Sequence, residues 1–95
     1  MIESVHSTLS GTAVASNTLV SGGAWLTVVN RSGAATLWGT IGFNAAPADP
    51  AAAAAGTFVV PSGAARDIYI GTAGISPVTV KILGNGNDIS LERRP

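Results

Sequence analysis

One histidine, His6, and five carboxylates, Glu3, Asp49, Asp67, Asp88 and Glu92, are the side chains from which proton transfer or metal binding would have to be built. They stand singly along the chain, and His6 sits in a polar stretch with no second histidine near it, which reads as solvated surface. There is no cysteine, so thiolate nucleophiles, disulfides and cysteine zinc sites are excluded and the redox compartment is left open. Serines are plentiful, yet none lies in a Gly-x-Ser-x-Gly elbow, and a lone histidine completes no triad. Leu83 to Asp88 (LGNGND) has the start of a dinucleotide loop and of one calcium repeat. The first lacks a third glycine and a following helix, the second lacks further copies, and a tight hairpin turn is the expectation. Asn30-Arg31-Ser32 fits a glycan acceptor pattern, but with no export signal read in the chain a turn is the expectation. These residues predict a non-enzymatic protein with no cofactor and no metal.

The remaining polar chemistry is sparse. Of the cations only Arg93 and Arg94 are adjacent, so the basic patch that neutralises phosphates is missing and nucleic acid is not an expected partner. Trp25, Trp38 and Tyr69 raise the question of an aromatic platform for a sugar or a peptide, against the alternative of core or inter-subunit packing. Trp38 and Tyr69 fall opposite the inferred core faces of their segments and are the better candidates for a contact surface.

Charged residues make up 11% of the 95, against roughly 25% in ordinary soluble domains, and the formal net charge is zero. With 46% hydrophobic residues, such a surface repels its neighbours weakly and suits a protein packed against others. The length fits one domain. The opening Met-Ile-Glu-Ser-Val-His has no basic region followed by an apolar run, and no stretch reaches the ~20 apolar residues that span a bilayer. Synthesis in the cytoplasm, with no membrane partner, is the expectation.

The elements that would position these side chains are strands. Residues 1–22 read as a Ser/Thr-rich N-terminal arm or edge strand, and residues 23–95 as the domain proper, with Gly22 and Gly23 between them. Ala24 to Asn30, Thr36 to Phe43, Thr57 to Val60, Arg66 to Ile70 and Val78 to Leu83 each carry β-branched or alternating apolar residues, and Ile89 with Leu91 supplies the inner face of a returning strand. Gly39 and Gly42 inside a strand mark a bulge or a close approach. Gly71 to Gly74 closes one strand, and Glu92 to Pro95 reads as a polar tail. Ala45 to Gly56 contains Pro47 and Pro50 and is a connection, either a flexible loop or a short helix with Asp49 as its N-cap. The fold class expected is all-β: a compact antiparallel β-sandwich, Ig-like or a small barrel, with an N-terminal arm and one short Ala-rich loop or helical turn.

The stretch VVNRSGAATLWGTIGF, an Ala/Pro/Asp loop, FVVPSGAARDIYI and finally ISPVTVKILGNGNDISLE together resemble small β-sandwich virion proteins of tailed bacteriophages, over roughly Ala24 to Glu92. The resemblance implies a capsid decoration or cement protein, a small homo-oligomeric subunit, a trimer among the options, that sits on the outside of the assembled head. Its partners would be the phage major capsid protein and further copies of itself. The residues expected to meet them are Ile2, Val5 and Leu9 in the arm, Trp38 and Tyr69 on the outward faces, and Arg93 and Arg94 in the tail. The different class of function carried alongside is a carbohydrate- or receptor-binding module of a tail or fibre.

Overall fold

The computed structural model describes residues 3–20, 23–71 and 77–95. Ile2, Gly22 and most of the Gly71–Gly74 turn lie outside the described residues. Among the described residues eight strands are formed: β1 (Glu3–Thr8), β2 (Ala15–Leu19), β3 (Trp25–Ser32), β4 (Leu37–Phe43), β5 (Phe58–Val60), β6 (Ala65–Tyr69), β7 (Val78–Leu83) and β8 (Asp88–Arg94). They make two four-stranded antiparallel sheets, the first in the order β1-β8-β3-β6 and the second β2-β7-β4-β5. The chain is an all-β sandwich.

The pairs β1–β8, β2–β7, β3–β6 and β4–β5 are those of one long antiparallel hairpin wound around a core, with β8–β3 and β7–β4 as the contacts made on winding. That is the jelly-roll arrangement. An Ig-like order would keep the first two strands in one sheet, whereas here β1 and β2 already lie in different sheets. The fold class stands, and its finer detail is this winding.

Alternation drives the layers together. Leu26 and Val28 of β3, Val78, Val80 and Ile82 of β7, and Ile89 and Leu91 of β8 point inward and are fully buried, joined by Leu19, Leu37 and Val60. Each such side chain contributes about 1.5–3 kcal/mol of burial. Two glycines act as close-approach points, as their place within a strand implies. The space a side chain would take at Gly39 is filled by the Phe58 ring, and that at Gly42 by the Ala45 carbonyl and Pro47.

The latter contact lays residues 44–57 back over the outer face of the second sheet. The Thr40 hydroxyl donates to the Ala48 carbonyl (2.6 Å), and Lys81 reaches Asp49 at 2.9 Å. No helix forms there. The backbone makes successive turns, Ala54 N–H to Ala51 O and Thr57 N–H to Ala54 O, with Ala53 at a positive φ of 56°. Asp49 therefore serves Lys81 and is not an N-cap.

Of the two readings of the N-terminal stretch, arm or edge strand, residues 3–20 take the second: β1 and β2 are edge strands, one in each sheet. Three sequence expectations need correction. The segment Gly84–Asn87 is not a hairpin turn, because β7 and β8 belong to different sheets and the turn crosses between layers. Asn30 is not a turn residue: it continues the inward row of β3 and is fully buried, with Gly33 at φ 105° carrying the turn instead. The tail expected from Glu92 is strand through Arg94.

Both ends of the wound core are closed by polar side chains. At one end the Asn30 Nδ2 donates to Ala35 O (3.0 Å) and Val60 O (3.2 Å), and the Asn87 Nδ2 donates to Asn30 Oδ1 and Ala35 O, both at 2.9 Å. Leu9 N–H donates to Asn87 O, Asn85 N–H to Asn87 Oδ1, and Gly63 N–H to Asn30 O. Four inter-strand connections thus meet on two buried asparagines. At the opposite end lies Arg93.

Candidate functional site

The residues named in advance as contacts separate once placed. Val5 faces inward opposite Leu91 and packs against the core, and Leu9 is 4% exposed within it. Both are corrected from contact to core: the N-terminal stretch pairs in register, which turns its apolar residues inside. Arg93 is corrected for the same reason. It occupies the inward position after Ile89 and Leu91, is fully buried, and donates from Nε to Gly23 O (3.2 Å) and from Nη1 to Leu19 O (3.0 Å). It ties the start of β3 and the end of β2 to β8, opposite Glu3 in register.

Trp38 and Tyr69 do point outward, but from different sheets, so they share no platform. On the first sheet Tyr69 is opposite Trp25, with ring centroids 5.1 Å apart in an edge-on arrangement. The two rings are 62% and 37% exposed. Arg94, the next partner of Trp25, holds Asp67 at 3.3 Å and Glu92 at 3.6 Å, and Thr27 donates to Asp67 at 2.6 Å. Sequence reasoning missed Trp25 as the partner of Tyr69; the pairing is visible only in the register of β3 with β6. His6 is exposed on the same face, its Nδ1 2.7 Å from Ser90 Oγ.

On the second sheet Trp38 is half-buried between two register neighbours, Val59 on β5 and Leu83 on β7. Val14, one residue ahead of β2 and exposed, comes next in line beyond Leu83. An apolar row therefore crosses all four strands, about 15 Å at the usual strand spacing. Its members come from four separate segments, and only the alternation of β4 hinted at Trp38.

An open cleft of about 380 Å³ lies where β5 and β6 leave the two sheets apart, lined by Ile41, Gly56, Thr57, Phe58, Arg66 and Ile68. Its lining is about equally polar and apolar, with a single cation and no carboxylate. Among the described residues no three His, Asp or Glu side chains converge as metal ligands, and no helix is long and apolar enough to cross a membrane. Asn30, the candidate glycan acceptor, has its amide nitrogen committed inside the core.

Two aspartates have lowered pKa values. Hydroxyl donation from Ser32, then from Thr8, holds the Asp88 carboxyl below its ordinary range, and Thr27, assisted by Arg94, does the same for Asp67. A carboxylate whose folded-state pKa lies below its unfolded value near 3.9 contributes stability that is present above that value and lost as pH falls through the folded one. The native protein should therefore lose stability below about pH 4. Asp88→Asn should melt below the parent at neutral pH, with the gap narrowing as pH falls below about 4; a gap constant with pH, followed by circular dichroism, would contradict this role.

Comparisons of the chain with protein-family models, curated proteins and solved structures found no match.

Proposed function

We propose that this protein is a structural component of a virion: a capsid decoration, or cement, protein of a tailed bacteriophage that binds the assembled head and stabilises it. The observation that carries the reading is the apolar row Val14, Leu83, Trp38 and Val59 on the outer face of a sheet whose chain is only 11% charged. A band of this kind on a sparsely charged surface suits cover by another protein. The resemblance of Ala24 to Glu92 to small phage β-sandwich proteins supplies the particular partner, the major capsid protein. The jelly-roll winding is compatible with it, being a scaffold of viral capsid domains as well as of lectins.

The mechanism is linkage. A ligand that binds only the assembled shell stabilises it by about 2.7 kcal/mol when present at 100 times its Kd. Purified protein should bind mature heads at discrete, saturable sites and raise the temperature at which they release DNA. Trp38→Glu, on an outer face, should leave the fold intact and abolish binding; saturable binding undiminished in that variant would count against the reading.

A second reading, a carbohydrate- or receptor-binding module of a tail or fibre, draws on the exposed Trp25–Tyr69 pair beside Asp67, Thr27 and Arg94, since aromatic faces with polar neighbours suit sugars. Glycan-array binding lost in Tyr69→Ala and retained in Trp38→Glu would favour it.

A further inference from the structure

A sandwich of this kind has four sheet edges, and an unguarded edge invites another strand. Three of the four are guarded. The β1 edge turns Glu3 inward. The β5 edge is three residues long, stops at Pro61, and has its Val59 carbonyl taken by Arg66 at 3.4 Å. The β6 edge carries Arg66 on its inner side, level with Val28, and Asp67 on its outer side. Inward charges, short length and proline are the usual defences.

β2 lacks these along its length, and its one guard is at its end, where Val20 N–H donates to Glu3 Oε1 (2.7 Å). Its sequence Ala-Ser-Asn-Thr-Leu contains no charge and no proline, and it runs in unbroken register along β7. The two residues that bracket it, Val14 and Val20, are among the exposed large apolar side chains, at 36% and 62%. Residues 14–20 are also nearly palindromic: Val-Ala-Ser-Asn-Thr-Leu-Val reads valine at both ends, a hydroxyl residue on either side of Asn17, and apolar residues between.

The geometry points to a twofold dimer in which β2 pairs antiparallel with β2 of a second copy, centred on Asn17. In that register Val14 of each copy meets Val20 of the other, Ala15 meets Leu19, and Ser16 meets Thr18. The Val14–Val20 contact occurs twice and covers each exposed valine once, and hydroxyl pairs, which are favourable across strands, fill the outer face between them. A twofold interface requires a patch that complements itself, which a palindromic strand provides. The two second sheets join into one of eight strands, and the apolar row through Trp38 continues across the axis. This deepens the self-association expected of a coat component by giving it an interface, and it is read without any capsid present, so its failure and that of head binding are separable.

Sedimentation equilibrium of the purified chain should give twice the monomer mass. The double variants Ser16→Lys with Thr18→Lys, and Ser16→Glu with Thr18→Glu, place like charges directly opposite at two positions on an exposed face. Each alone should raise the dimer Kd by about tenfold or more, and an equimolar mixture of the two should restore dimer. Because the chain has no cysteine, Asn17→Cys should oxidise to a disulfide-linked dimer faster than Ser16→Cys or Thr18→Cys. A monomer at all concentrations, an oligomer indifferent to these charges, or fastest cross-linking away from residue 17 would overturn the proposal.

Discussion

Replacing Arg93 with alanine is expected to destabilise the protein by about 3–5 kcal/mol, the range for removing one member of a buried, hydrogen-bonded charge group. The guanidinium is fully buried and spans two connections, taking the carbonyls of Leu19 and Gly23. Truncation leaves both acceptors inside the end of the sandwich without their donor, and Glu3 without the cation opposite it in register. It also opens a void that the ends of β2 and β3 cannot close without moving. Arg93→Lys should fall between parent and alanine, because an ammonium lacks the planar fork that reaches two separated carbonyls. Urea denaturation measures the difference directly. A loss under about 1 kcal/mol would mean that the side chain is solvated, as a free polar tail would have it.

The second large effect is expected at the opposite end of the core. Asn87→Ala removes a side chain that donates to Asn30 Oδ1 and Ala35 O and accepts from Asn85 N–H. A buried acceptor left without a partner costs about 1–3 kcal/mol, and more than one is affected, so a loss of about 2–4 kcal/mol follows. For a domain of this size each 1 kcal/mol lowers Tm by about 4–8 °C. Asn30→Ala should cost a similar amount, and the double variant less than the sum, since the two amides form one network. Strict additivity in a double-mutant cycle would contradict a shared tie. Neither substitution touches Trp38 or β2, so both variants that fold should retain whatever those surfaces bind.

Much of the architecture was legible because alternation is a local property. Val78, Val80 and Ile82 had to face one way and Lys81 the other in any sheet, and the same reasoning put Trp38 and Tyr69 outward, where they are. Gly39 and Gly42 signalled close approaches, and each is filled by a neighbour. What alternation cannot carry is which strands become neighbours. Gly84 to Asn87 has hairpin chemistry, and a tight turn serves a crossing between layers as well as a return within one. The Ala-rich stretch has the composition of a helix, yet its interaction with Thr40 and Lys81 on the sheet beneath holds it in turns.

The candidate site shows the same division. That Arg93 and Arg94 are cations is written in the chain; that one closes the core while the other lies on the outer face beside Trp25 depends on β8 continuing for two residues past Glu92. Parity along that strand then assigns them to opposite sides. Composition by itself determined a nearly uncharged β protein with little material for acid–base chemistry. Winding decided the rest: it set Val59, Trp38, Leu83 and Val14 side by side, put Tyr69 against Trp25, and left β2 as the least guarded of the described edges, because register between distant strands is fixed only when both layers close over a common core.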